Sequence, residues 1–318
     1  MSDSALVPPD LAGLRLDQAL PRLFSSYSRS QLKAWLDKGL VQVNQQQWRG
    51  KDRVSGGETV QIQVPPLKAV DWSPEPLPLD KIFEDEHILI VNKPKNLVVH
   101  PATGSPTGTL VNAILHDYPD LAHLPRGGIV HRLDKDTTGI MVVAKSLEAH
   151  HGLTEALQLR TIKRLYEAVV WGVPVSGATI DLPLGRHPVD RKKRAVLDSN
   201  KGKRAITHYR IQSKFRHHAL LEVQLETGRT HQIRVHLAHM HFPIVGDKTY
   251  GGRLRFPPKA SPALQDMLRT FPRQALHAKQ LTLQHPVSGE TMSWCVPRPV
   301  DMEALILALK EDSEANVF

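Results

Sequence analysis

Residues 128–146 read GIVHRLDKDTTGIMVVAKS, a dense charged knot wedged between two short apolar runs. The runs, 129–130 and 139–144, fit buried strands, which places His131 to Thr138 in the loop that joins them, at the rim of a sheet where function commonly sits. Gly139 suits a tight backbone return. A solvated hairpin loop seldom needs Arg132, Asp134, Lys135, Asp136 and two threonines together, so the stretch reads as a site built on a sheet.

Two further clusters share this character. Residues 226–236 (ETGRTHQIRVH) suggest a strand that turns at Gly228 into a helix capped by Thr230, with Ile233, Leu237 and Met240 as its inward stripe. Arg229 would then stand at the helix N-terminus, where backbone N–H groups and a guanidinium favour an anion. Arg234 and His236 fall on the expected wet side. His231, His236, His239 and His241 invite a metal, but no HExxH or completing carboxylate accompanies them, and no metal is expected. In residues 163–170 (KRLYEAVV) basic residues lead into a strand in which Tyr166 either packs in the core or, beside an open pocket, stacks on a planar base.

The chain is 318 residues long with a formal net charge of +9, a balance that suits a polyanionic partner. Its one cysteine, Cys295, rules out an intrachain disulfide and reads as buried beside Trp294. The polar, proline-broken N-terminus and the lack of any run long enough to span a bilayer suggest a cytoplasmic protein.

Ahead of the opening stretch, residues 14–20 start a helix. Ser28-Arg29-Ser30-Gln31 then forms a capping-box pattern before Leu32, Trp35 and Leu36, with Gly39 placed to stop the second helix. Alternating runs at 41–43 and 60–64 complete a helix-helix-strand-strand unit over residues 14–66. Arg29 and Lys33, at i and i+4, share one exposed face where a phosphate backbone could dock. The proline-rich PPLKAVDWSPEPLPL (65–79) cannot continue a helix or central strand, so residues 67–79 read as a linker. In residues 80–318, strand patterns at 88–91, 139–144, 165–171, 206–211, 219–225 and 281–284 outnumber helices near 146–160 and 230–240. Lacking regular helices between the strands, this part reads as a mixed α+β sheet domain, with a frayed acidic tail at 311–314.

Taken together, the clusters resemble the pseudouridine synthases of the large-subunit ribosomal RNA type, whose HRLDxxTSG-like signature stands here as His131 to Gly139. Residues 163–169, 226–236 and 273–278 (RQALHA) follow in the family's order, with further likeness at Asn92-Lys93-Pro94 and Val245-Gly246-Asp247. The N-terminal unit resembles an S4-type RNA-binding domain. The resemblance implies a mainly antiparallel catalytic sheet and isomerisation of uridine to pseudouridine in an rRNA stem-loop at the subunit interface. It also implies large-subunit rRNA or a pre-50S particle as partner; no cofactor is expected, since nothing is oxidised, reduced or added, and the chain is expected to be a monomer.

It further implies roles. Asp134 is the catalytic carboxylate and Arg229 its ion-pair partner, whose removal would strand a buried charge at a cost of roughly 3–5 kcal/mol. Arg132 fills the stack vacated by a flipped uridine, Tyr166 lies against the uracil, and Ile233 backs it. His131, Asp136 and Thr138 order the loop. A noncatalytic RNA-binding assembly factor would explain the charge and the S4-like unit without using Asp134, and a histidine-based hydrolase is a third reading; neither explains the three clusters.

Overall fold

Burial alternates along the strands of the N-terminal part and is nearly continuous along the central strands that follow; the chain divides into two compact units, Met1–Ala69 and Val70–Phe318. The structure is a computed structural model and describes residues 2–25, 27, 29–64, 72–101, 105–190 and 192–316.

The first unit holds β1 (Ser2–Leu6), α1 (Leu16–Leu23), α2 (Arg29–Asp37), β2 (Val41–Val43), β3 (Gln46–Gln47) and β4 (Thr59–Gln63), with sheet order β1-β4-β2-β3. Val60 and Ile62 turn inward from β4 to meet Leu16, Leu20 and Leu32 of the helices in one small core. The sequence places the start of this unit at residue 14; β1, antiparallel to β4 from Ser2 to Leu6, extends it to the N-terminus. Gly39, with φ +70°, ends α2 as expected. Ser28 of the capping-box pattern lies outside the described residues. Arg29 and Lys33 are both exposed on α2.

The second unit runs β5 (Lys81–Glu84), β6 (Ile88–Lys93), α3 (Leu110–Asp117), β7 (Thr138–Ala144), α4 (Leu147–Leu159), β8 (Lys163–Trp171), β9 (Ala178–Asp181), β10 (Leu184–Arg186), β11 (Arg194–Val196), β12 (Ile206–Lys214), β13 (His218–Leu225), α5 (Gln232–His239), α6 (Pro262–Thr270), β14 (Leu276–Gln284), β15 (Thr291–Cys295) and α7 (Val300–Ala315). Nine strands form one sheet in the order β5-β6-β7-β14-β8-β13-β12-β9, with β15 also paired to β14. Every pairing is antiparallel except β14 with β7, where His277 faces Thr138 and Ala278 faces Gly139. All seven residues of β7 are buried, as a strand covered on both faces requires.

Four expectations change. Residues 129–130 are no strand: Ile129 makes an isolated bridge to Val143 after a 3₁₀ turn at Pro125–Gly128, so the knot is reached from a turn on one side only. Of the expected linker, residues 67–71 lie outside the described residues, while 72–79 are fixed to the second unit. There Trp72 packs edge-on to His100 at 5.9 Å, and Glu75 accepts the Gly108 N–H at 3.0 Å. The acidic tail is helical, because Asp312 is buried against Arg216 at 3.0 Å and anchors the end of α7. Cys295 is exposed, since the alternation of β15 turns it outward.

Candidate active site

The loop between the 3₁₀ turn and β7 is held largely by its own backbone. The Thr137 N–H donates to the Asp134 carbonyl at 3.1 Å, closing a turn that carries the Asp134 side chain. Two buried cations grip the next carbonyls: Lys93 Nζ donates to Lys135 O at 2.9 Å, and Arg273 Nη1 donates to Asp136 O at 3.3 Å. Lys93 is fully enclosed, and burial pushes its pKa down to about 7 against the opposing charges of Asp136 and Asp134. Its amine nevertheless meets three carbonyls, at 2.8, 3.0 and 2.9 Å, one for each N–H of an ammonium, so the geometry favours the charged form.

Side chains complete the anchoring. His131 Nε2 accepts the Val142 N–H at 3.1 Å, which fixes the neutral tautomer; burial holds its pKa down to about 3. Thr138 Oγ1 shares a hydrogen bond with His277 Nδ1 at 2.9 Å, and Gln274 Nε2 donates to Thr137 Oγ1 at 3.1 Å. Gly139 has φ +117°, and a Cβ there would fall 2.2 Å from Ala278 O, so only glycine lets β14 approach. His131 and Thr138 thus tie the loop through their side chains, whereas Asp136 is held through its carbonyl.

Asp134 is mostly sheltered, its side chain 16 % exposed, and its Oδ2 accepts Arg234 Nη1 at 2.9 Å. Arg234 also forks Asp247, Nε to Oδ2 at 2.7 Å and Nη2 to Oδ1 at 2.9 Å. Burial opposes the Arg234 charge, but the Asp247 hydrogen bonds and the charges of Asp247 and Asp134 outweigh it and hold its pKa above the usual range. Burial likewise disfavours the Asp247 anion, yet the bonds from Arg234 and from the Thr249 and Tyr250 N–H groups keep its pKa below normal. Tyr250 lies under the Arg234 guanidinium at 5.1 Å and its Oη meets His231 Nδ1 at 2.8 Å. His231 Nε2 stands 3.9 Å from Asp134 Oδ1.

The expected Arg229–Asp134 pair is therefore not made. Arg229 is exposed, and its Nε donates to Arg204 O at 3.2 Å. The reason lies in how α5 begins. Its N-cap is His231, in the left-handed region at φ +59°, and not Thr230; the helix starts later and turns Arg234 inward. Gln232 anchors that start: its Nε2 donates to Ile206 O and Thr207 Oγ1, both at 2.9 Å, while its Oε1 accepts from Thr227 Oγ1 at 2.7 Å and the Arg229 N–H at 3.0 Å. His236 is also buried, bonded to Thr207 Oγ1 at 2.9 Å and Leu182 O at 3.0 Å, so the expected wet face is interior. Met240, expected inward, is exposed. Among the described residues, no group of three His, Cys, Asp or Glu side chains is arranged to hold a metal ion.

Above Asp134 opens a cavity of about 540 Å³. It gathers most of the expected site residues: Arg132 and Arg229, both exposed, with Asp134, Tyr166, Ile233 and His131. Tyr166 and Ile233 are buried in its wall. Burial raises the Tyr166 pKa, opposed by Arg164 and assisted by Asp134, so the phenol keeps its proton at neutral pH. Asp136 lies in an adjoining cleft and Thr138 inside β7. The sequence reading missed Arg234 as the partner, Asp247 behind it, the carbonyl-gripping Lys93 and Arg273, and Arg164 in the wall. The neighbouring guanidinium of the same motif and the unassigned Val245-Gly246-Asp247 were the available signals.

A carboxylate paired with a buried guanidinium, beside a tyrosine in a cavity with basic residues around it, on a mainly antiparallel sheet, can now be set against known proteins. The family model described as RNA pseudouridylate synthase matches residues 87–239, and the S4 domain model matches residues 14–60. Ribosomal large subunit pseudouridine synthase D of Pseudomonas aeruginosa is 51% identical over 314 residues, covering 99% of this chain and 98% of that protein. The chain belongs to the RNA pseudouridylate synthase family. The protein of the same description from Escherichia coli is also 51% identical, over 98% of this chain and 96% of its own length. Among solved structures, human RNA pseudouridylate synthase domain containing 4 aligns with TM-score 0.56 and 27% identity over 72% of this chain and 92% of that one. Membership makes the chain an enzyme that isomerises uridine, so the catalytic reading prevails over the noncatalytic binding factor. No described helix is long and apolar enough to cross a membrane.

Proposed function

We propose that the chain converts uridines of large-subunit ribosomal RNA to pseudouridine in the cytoplasm, with Asp134 as the reacting carboxylate and Arg234 as the cation that pairs with it and holds it in place. The observation that carries this reading is the Asp134–Arg234 ion pair at 2.9 Å, opening on a cavity of about 540 Å³. Breaking the N1–C1′ bond leaves the ribose electron-poor, and a sheltered, aimed carboxylate stabilises or captures such a centre, as in glycoside cleavage. Pairing with a guanidinium that Asp247 already fixes costs no reorganisation when charge develops.

A stacked uridine cannot bring C1′ to Asp134, so the target is flipped out, at a cost of a few kcal/mol. Exposed Arg132, next but one to Asp134, stacks in the space left behind. Tyr166 lies against the uracil with Ile233 behind it. Arg29 and Lys33 on α2 add phosphate contacts that set affinity and register.

The test is incubation with unmodified large-subunit rRNA, followed by chemical adduct formation and primer extension to map pseudouridine. Asp134→Asn is expected to bind RNA as the wild type does and to give no conversion. Appreciable residual turnover would assign the reaction to another group.

A further inference from the structure

Among the described residues that line the cavity, one buried charged side chain is left without an ion-pair or hydrogen-bond partner. Arg164, on β8, is only 7 % exposed, yet its enclosed Nε has no hydrogen-bond partner, and no described residue gives the guanidinium an ion pair or hydrogen bond. A guanidinium keeps its charge in a protein, and burying one unpaired is costly. Elsewhere in this unit buried cations are satisfied: Arg234 by Asp247 and Asp134, Arg273 by Asp301, Lys93 by three carbonyls. Room for Arg164 is also specifically made, because a Cβ at Gly228 would fall 2.9 Å from Nη1. Gly228 has no positive φ that would demand glycine, so the close approach of this side chain is what its bare backbone permits.

Arg164 and Tyr166 are two apart on one strand, so both project from the same face of β8, and both line the cavity. Arg132 and Arg229 are exposed, the first read as filling the vacated stack and the second suited to a phosphate, whereas Arg164 is sunk in the wall beside the residue read as the uracil platform. We propose that Arg164 anchors the uracil itself, donating to a carbonyl oxygen of the ring and stabilising the negative charge that gathers on the base while it is detached from ribose. This rests on the functional reading above.

The electron count fits. Cleavage of N1–C1′ leaves the bonding pair on N1, delocalised to C5, O2 and O4, while C1′ becomes electron-poor. Rejoining places a pair from C5 into the C5–C1′ bond; C5 then gives up its proton and N1 takes one up, so nothing is added or lost. A donor aimed at an oxygen that gains charge only in the transition state accelerates the step more than it tightens binding.

The test compares wild type and Arg164→Met in single-turnover conversion of a large-subunit rRNA transcript, with RNA affinity and melting temperature measured on the same full-length proteins. Conversion is expected to slow roughly 10²- to 10³-fold. RNA affinity should change by less than about threefold, and the melting temperature should stay or rise, because a buried unpaired charge has been removed. Transcripts made with 2-thiouridine or 4-thiouridine weaken one ring acceptor at a time. At the contacted position the wild type should slow and the variant should not slow further.

A lowered melting temperature that accounts for the lost rate would make Arg164 structural and overturn the proposal. A weakened affinity with a salt slope smaller by about 0.7 would make it a phosphate contact and overturn the proposal equally. Additive losses for both thio substitutions would also end it. Failure of the wild type to convert any rRNA uridine would instead remove the functional reading, and this inference with it.

Discussion

Replacing Arg234 and Arg229 separately distinguishes the ion pair seen here from the one the motif suggests. Arg234→Met removes three charge-assisted hydrogen bonds, at 2.7, 2.9 and 2.9 Å, and leaves the Asp247 side chain, which is 0 % exposed, with only two backbone donors. Breaking a buried pair from one side costs about 3–5 kcal/mol. Because Asp247 keeps the Thr249 and Tyr250 N–H groups and Asp134 is partly open to water, the lower end applies, about 3 kcal/mol by that rule. For a domain of this size such a loss lowers the melting temperature by roughly 6–12 °C. Arg229→Met removes one exposed hydrogen bond to Arg204 O and should stay within about 0.5 kcal/mol of wild type.

The sign of the pH dependence follows from Asp247, whose folded pKa lies below its unfolded value of 3.8. In wild type its contribution is present above the unfolded pKa and is lost as pH falls through the folded one. Without Arg234, burial acts with less opposition and lifts the Asp247 pKa, so the carboxyl takes up a proton as the medium is acidified and the variant's deficit shrinks. Calorimetry at pH 7.5 and 4.5, paired with single-turnover conversion at pH 7.5, reads both effects. An Arg229→Met variant as unstable as Arg234→Met, or a deficit equal at the two pH values, would refute the assignment of Arg234.

Three further outcomes are expected. Truncation after Lys310 strips Arg216 of the Asp312 carboxylate and of the Ser313 hydroxyl that accepts its N–H, and should cost about 2–3 kcal/mol in urea melts. His218 is 1 % exposed, with its pKa held down by burial to about 4, so the folded state resists a proton that the unfolded state accepts near 6.5. Stability should therefore fall by about 1.4 kcal/mol for each unit of pH between those values on its account, and His218→Phe should flatten the acid limb of a denaturation series. The double variant Arg29→Ala/Lys33→Ala should keep the conversion rate at saturating RNA while the log–log salt slope of binding falls by roughly 0.7–0.9 for each phosphate no longer neutralised, measured by filter binding.

Much of the sheet was legible because β6, β7, β8 and β13 carry short apolar runs rich in Val, Ile and Leu, and β12 alternates apolar with polar residues. The α3 helix was not, since residues 110–115 of its LVNAILHD are all buried and so short an apolar run is not assigned to helix or strand by periodicity alone. The same physics misplaced Arg234. On α5, residues 232–237 are all buried, so Gln232, Arg234 and His236 face interior partners that a periodicity argument assigns to solvent. Asp134, Arg132, Tyr166 and Ile233 could be brought together by motif order. Which arginine meets the carboxylate depends on where the helix begins, and that is set by Gln232 bonding across to Ile206 and Thr207. The strand pattern at 281–284 marks only the end of β14; its N-terminal part, LHAKQ, is interrupted by polar residues, of which His277 is bonded to Thr138 inside the sheet.

The position of β14 has a consequence for biosynthesis. Among the described residues, strands β5 to β7 on one side and β8, β13, β12 and β9 on the other are joined through this segment, which follows both groups in the chain. A nascent chain that has emerged only as far as α5 therefore holds two half-sheets with bare edges, the kind that recruit neighbours and aggregate. Arg273 and His277, which brace the loop carrying Asp134, arrive with the same stretch, so maturation of the loop and closure of the sheet coincide, after both half-sheets have been made.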